Sequence, residues 1–218
     1  PGAEINNSRC GTFGDAAFFS FFSNKNLACG EGGMIVTKDA KLAARISKLR
    51  SHGMTSLTAE RHKGRATSYD VQEVGLNYRL DEIRASIGLV QLDKVLEGNA
   101  KRKDLTLRYW DQLAGANLVI PFSECSEDKV PAYHIFPLIL SKRYKRQSVM
   151  NILKENGIQS SIHYPSFATF SAYKHLIKVG NLPIVDEICE KELTLPLHPR
   201  MCFDDVDFIC KVLKECLK

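Results

Sequence analysis

The sequence predicts an α/β protein in two parts joined by a long helix. Three observations lead there. Short aromatic or β-branched runs alternate with amphipathic helical stretches, an extended helical pattern follows Asp81, and a second set of strands and helices begins beyond it. The first part is placed at residues 1–108 and the second, a smaller α/β domain, at residues 109–218.

Each element has its own local reason. Residues 14–22 are short, aromatic and bounded by glycine and polar residues, which reads as a fully buried strand. Gly32 to Thr37 is a second strand, β-branched at Ile35, Val36 and Thr37. Asp39 caps a helix whose apolar positions are Leu42, Ala43, Ile46 and Leu49, and His52-Gly53 stops it. Residues 54–74 are polar and irregular, a loop.

Asp81 opens the longest helix, with Ile83, Ile87, Val90 and Leu92 to Leu96 on its inner face. It runs on to about Leu113, with a kink or break expected at Gly98. Tyr133–Leu140 is a strand, residues 142–156 a basic amphipathic helix ended by Gly157, and residues 158–163 another strand. Pro183 suits the first turn of a helix over 184–193. Asp204 caps the last helix, striped by Val206, Ile209, Leu213 and Leu217. Two strands and two helices do not finish a sheet, so the first part is expected to take further strands from elsewhere.

The totals exclude several classes. Of 218 residues, 44% are hydrophobic, enough for a core without metals or staples. Seven scattered cysteines, with no CxxC or Cys/His cluster, indicate neither a metal site nor a disulfide framework. No signal peptide opens the chain and no apolar run reaches the length of a membrane span, so a cytoplasmic protein with reduced thiols is expected. The net charge of +5 suits an anionic ligand such as a phosphate or nucleotide, while no interleaved basic and aromatic pattern argues for nucleic acid.

Candidate chemistry starts at Lys25. It lies on a tight turn between the apolar stretch ending at Phe22 and the glycine-rich Gly30-Glu31-Gly32-Gly33. An amine held in apolar surroundings gives up its proton more readily and can attack a carbonyl. Ser20 precedes it, and Gly75-Leu76-Asn77-Tyr78-Arg79 sets an amide, a phenol and a guanidinium just before the long helix. Each also has a plain structural reading. Ser20 reads as a small hydroxyl satisfied by backbone, Tyr78 and Arg79 as helix-entry packing and a surface ion pair, and His163 as a structural hydrogen-bonder.

Taken in order, these segments resemble the nucleotide-sugar aminotransferases of the DegT/StrS type, fold-type I enzymes that use pyridoxal 5'-phosphate (PLP). The matching pieces are the serine-to-lysine run, the Gly30–Gly33 turn, Ser51-His52-Gly53 and the Gly75–Arg79 segment leading into a helix with Ala85 and Gln91. His163-Tyr164-Pro165 and Leu195-Pro196-Leu197-His198-Pro199 are similar to the family's later signatures.

The resemblance implies the end of the mixed sheet of a fold-type I large domain, joined by the long helix to the smaller domain. It implies that Lys25 carries PLP as an imine and moves the proton between substrate and cofactor. It also implies that Ser20 donates to the cofactor phosphate and that Asn77 reaches the phosphate bound by the neighbouring subunit of a homodimer with shared active sites. Tyr78 and Arg79 would border the nucleotide-sugar cleft, and His163 and Tyr164 the sugar pocket. The substrate would be a nucleotide-diphosphate-linked keto-sugar, with L-glutamate as the amino-acid donor. A sugar dehydratase of the same family carries histidine where this chain has Lys25.

Two departures qualify the resemblance. Family members are nearly twice this length, and the part preceding Gly2-Ala3-Glu4 would supply backbone donors for the phosphate, a stacking aromatic and the aspartate that pairs with the pyridine nitrogen. Asp15 does not replace that aspartate. The 218-residue chain alone is therefore expected to be inactive, the alternative being a truncated non-catalytic remnant that folds or dimerises without binding PLP productively. The run after Tyr164, Pro165 to Phe170, also lacks the family's proline-leucine-histidine continuation.

Overall fold

In the computed structural model, residues 1–55, 64, 68–123, 126, 128–173 and 180–218 are described. Most of the expected loop at 54–74 lies outside them. The order is β1 (Glu4–Ile5), β2 (Ser8–Arg9), β3 (Ala16–Ser20), β4 (Gly33–Thr37), α1 (Ala40–Leu49), α2 (Glu82–Leu113), β5 (Leu118–Val119), β6 (Lys129–Val130), β7 (Phe136–Leu140), α3 (Arg146–Glu155), a 3₁₀ turn (Phe167–Thr169), α4 (Pro183–Lys191), β8 (Glu192–Leu195) and α5 (Phe203–Cys216). The chain divides into two compact units, Pro1–Val95 and Leu96–Lys218. The division falls inside α2, N-terminal to residue 108.

In the first unit β3 and β4 pair antiparallel, with Phe18 opposite Ile35 and Ser20 opposite Gly33. Successive side chains of a strand point to opposite faces. Phe19 therefore packs against the small cluster of Phe21, Leu27, Cys29 and Val95, while Phe18 is 84% exposed. This corrects the expectation of a fully buried strand: Met34, Ile35 and Val36 of β4 are exposed as well. Asp39 caps α1 as expected, its Oδ1 accepting from the backbone of Lys41 and Leu42 at 2.8 and 3.2 Å.

Asp81 likewise caps α2, accepting from the Arg84 backbone at 2.8 Å. The helix is unbroken at Gly98. Its expected inner face is corrected by the structure: Ile83, Ile87, Val90, Leu92 and Leu96 are exposed, and only Val95 of that set is buried. This first half of α2 is apolar on every side, so periodicity does not single out one inward stripe.

The second unit has its own core. β5, β7 and β8 form an antiparallel sheet in that order, with Phe136 opposite Leu195 and Leu138 opposite Leu193. Leu105, Tyr109 and Leu113 of α2, Val149 and Leu153 of α3, and Val206, Ile209 and Leu213 of α5 pack with them. Residues 158–163 do not form the expected strand; Ser161 makes one backbone bridge to Thr194. Helix α4 ends at Lys191, and β8 follows without a loop. The last helix begins at Phe203, capped by Cys202 and Asp205 rather than by Asp204.

Candidate active site

The segment joining β3 to β4 carries Lys25. Its ends are closed by backbone bonds, Phe21 N–H to Gly32 O at 2.8 Å and Cys29 N–H to Phe21 O at 2.9 Å. Phe21, Leu27 and Cys29 are buried beneath it. Lys25 N–H closes a turn onto Phe22 O at 2.9 Å, which holds the residue at the tip. The side chain is half-buried, and its amine has no hydrogen-bond or ion-pair partner among the described residues. Of the four phenylalanines in the apolar stretch before it, Phe21 is buried and Phe19 partly so, whereas Phe18 and Phe22 are exposed. Ser20, exposed at the end of β3, accepts from Phe22 N–H at 3.3 Å, which leaves its own proton free to donate.

A second loop places the amide, the phenol and the guanidinium. Leu76 N–H bonds Leu49 O at 2.7 Å, His52 N–H bonds Leu76 O at 2.9 Å, and Tyr78 N–H bonds Arg50 O at 2.8 Å. The two glycine motifs meet here backbone to backbone. A Cβ on Gly53, where φ is +70°, would lie 1.8 Å from Glu73 O, and one on Gly75 would lie 2.2 Å from Gly53 N. Only glycine permits that approach. Arg79 Nε donates to Asn77 Oδ1 at 2.8 Å, so the amide's NH₂ side is turned to other acceptors.

Asn77, Tyr78 and Arg79 line a cavity of about 940 Å³, together with Phe18, Ile35 and Arg50. Arg84 lies on it too, giving three guanidiniums on one wall system. Such a lining favours an anionic occupant. Ser20 and Lys25 do not line that cavity. Arg50 and Arg84 were not singled out in the sequence, where isolated arginines carry no pattern.

His163 and Tyr164 belong to the second unit. Their rings meet edge-on, with centroids 4.9 Å apart, and Tyr164 is 65% exposed. His163 Nδ1 lies 2.8 Å from Thr194 Oγ1, and its backbone N–H donates to Glu192 Oε2 at 2.7 Å. Glu192 and Thr194 are buried, on the β8 face opposite Leu193 and Leu195. Their one sequence signal is the polar–apolar alternation of Glu192 to Leu195, hidden by its place directly after a helix.

Among the described residues no group of three His, Cys, Asp or Glu side chains could hold a metal, and no helix is long and apolar enough to cross a membrane. Cys10, Cys29, Cys189, Cys202, Cys210 and Cys216 are free thiols.

Comparison with known proteins places this geometry. Protein MJ1066 of Methanocaldococcus jannaschii is 29% identical over 221 residues, which cover 98% of this chain and 57% of that one. The structure of Helicobacter pylori PseC, an aminotransferase involved in pseudoaminic acid biosynthesis, matches with a TM-score of 0.89 at 26% identity, over 99% of this chain and 57% of that one. The aminotransferase TlmJ of Streptoalloteichus hindustanus matches with a TM-score of 0.87 at 27% identity, over 99% of this chain and 55% of that one. The chain thus spans a little over half the length of these relatives, as a partial fold of their kind. The DegT/DnrJ/EryC1/StrS aminotransferase family model matches residues 1–214, and the chain belongs to that family.

Proposed function

We propose that the intact protein is a PLP-dependent aminotransferase of nucleotide-diphosphate-linked keto-sugars, with L-glutamate as amino donor. The observation that carries this reading is Lys25, held at the tip of an anchored turn with an amine that no described residue engages. Ser20 supports it with a free hydroxyl proton one strand-end away.

The residues fit the cofactor by the chemistry of their donors. Lys25 would hold it through its aldehyde, Ser20 would donate to its phosphate, and the NH₂ of Asn77 would serve the phosphate of a second subunit in a homodimer. When bound, PLP supplies an electron sink for the substrate carbon. Lys25 Nζ takes and returns the proton at that carbon, as base and acid in turn. Tyr78 and Arg79 orient the nucleotide diphosphate, for which a guanidinium is the bidentate partner. His163 and Tyr164 face the sugar. A cytoplasmic location accords with this substrate class.

The test is borohydride trapping of PLP on the intact protein, followed by peptide mapping. The added mass should fall on the peptide bearing Lys25, and Lys25→Ala should carry none; label elsewhere, or label persisting in Lys25→Ala, rejects the assignment. A second reading, a non-catalytic remnant, is favoured by one observation: β3 and β4 form a sheet of two strands whose Phe18, Met34 and Ile35 are exposed. The intact mass of the expressed polypeptide, and whether a second fragment co-purifies with it, separates the two. A folded 218-residue polypeptide with no further segment that neither takes up PLP nor transaminates favours the remnant.

A further inference from the structure

Two buried polar residues lie behind His163 on β8. Thr194 Oγ1 donates to Glu192 Oε1 at 2.5 Å, and Glu192 Oε2 accepts from His163 N–H at 2.7 Å. Thr194 is itself fixed by backbone bonds with Ser161 in both directions, at 2.8 and 3.0 Å. Arg146 Nη1 on α3 donates to the Glu192 carbonyl at 3.1 Å, which holds the start of the strand. Glu192 is 5% and Thr194 4% exposed, so neither group can turn to solvent.

The protons on this chain of groups follow from counting. An ionised carboxylate only accepts, and a threonine hydroxyl has a single proton. That proton goes to Glu192, so Oγ1 presents lone pairs to His163 Nδ1, 2.8 Å away. Nδ1 must then carry the ring's hydrogen. Nε2, which bonds no described residue, is left with its lone pair.

We propose that Glu192 and Thr194 are positioning residues that lock His163 in the Nδ1–H tautomer, so that Nε2 accepts a hydrogen bond from a hydroxyl of the sugar substrate. The locking stands on this geometry alone; the identity of the donor rests on the function proposed above. A histidine so held discriminates between substrates, because a sugar presenting no hydroxyl there leaves an acceptor without a partner.

The experiment is histidine ¹⁵N NMR on the full 218-residue chain at about pH 8.5, where an ordinary imidazole is neutral. His163→Gln assigns the resonances. The wild-type ring should show a protonated Nδ1 and an unprotonated Nε2. Thr194→Val should shift the ring to the Nε2–H form, and Thr194→Ser should restore the wild-type pattern, which a loss of folding could not do. A wild-type Nε2–H ring, or a Thr194→Val ring that does not change, overturns the positioning roles. Uridine, thymidine and guanosine diphosphate hexoses are then added in turn to the intact protein with PLP. A shift of the His163 Nε2 resonance supports the sugar contact. A locked tautomer with no response to any of them overturns that contact and leaves the positioning roles standing.

Discussion

The Arg108 guanidinium on α2 forks onto the Asp207 carboxylate on α5, with Nε donating at 2.8 Å and Nη2 at 2.7 Å. This hydrogen bonding holds the Asp207 carboxyl below its usual range and raises that of Arg108. Because the folded value is the depressed one, the pair's contribution is complete above the unfolded carboxylate range and disappears as pH falls through the folded value. Asp207→Asn should therefore lower the urea midpoint more at about pH 7 than at about pH 2, where the pair's contribution is already falling. An equal deficit at both pH values would assign the effect to packing instead.

Tyr109 makes a quieter tie between the same helix and the Leu195–Pro199 segment. Its ring is fully buried, stacked on Phe136 at 4.4 Å, and its hydroxyl donates to Pro196 O at 2.9 Å. Burial pushes the phenol's proton loss far above the ordinary tyrosine value. Tyr109→Phe should keep the stack and lose the bond, costing about 1–2 kcal/mol of unfolding free energy by denaturant titration.

How much of this was legible beforehand differs by residue. Asp39, Asp81 and Pro183 act through neighbours a few positions away, so local rules found their helices. Lys25 and Asn77 were singled out because glycine and apolar context mark their turns. Phe18 and Ile83 were misplaced inward, since an apolar run reports a preference for burial but not whether the chain supplies a cover. Glu192 and Thr194 were missed for a different reason: their polar–apolar alternation directly follows a helix, and their partner His163 is remote in sequence.

Gly53 and Gly75 offer a sharper test of the loop that carries Asn77. An alanine at either position would drive a methyl into backbone atoms, 1.8 Å from Glu73 O or 2.2 Å from Gly53 N. Backbone cannot yield as a side chain end does. Gly75→Ala should abolish hydrogen-exchange protection at His52 and Tyr78, whose N–H groups bond Leu76 O and Arg50 O. Protection unchanged at both amides would mean the glycines merely tolerate the approach.

The two units should also differ in how strongly they resist opening. The second gathers a cluster running from Leu105 to Leu217 around β7 and β8, with Leu138, Leu153 and Leu193 fully buried. The first has four clustered buried side chains, Phe21, Leu27, Cys29 and Val95, beneath the Lys25 turn. Opening free energy follows buried apolar contact, so exchange at Leu138 and Ile139 of β7 should be far slower than at Met34 and Ile35 of β4. Leu153→Ala removes a side chain with no exposed surface and should cost about 2–5 kcal/mol. That loss should appear as faster exchange throughout β7 and β8 and leave the β3–β4 amides unchanged. If both sets of amides speed up together, the two units unfold as one, and their separate cores do not act as separate cooperative units.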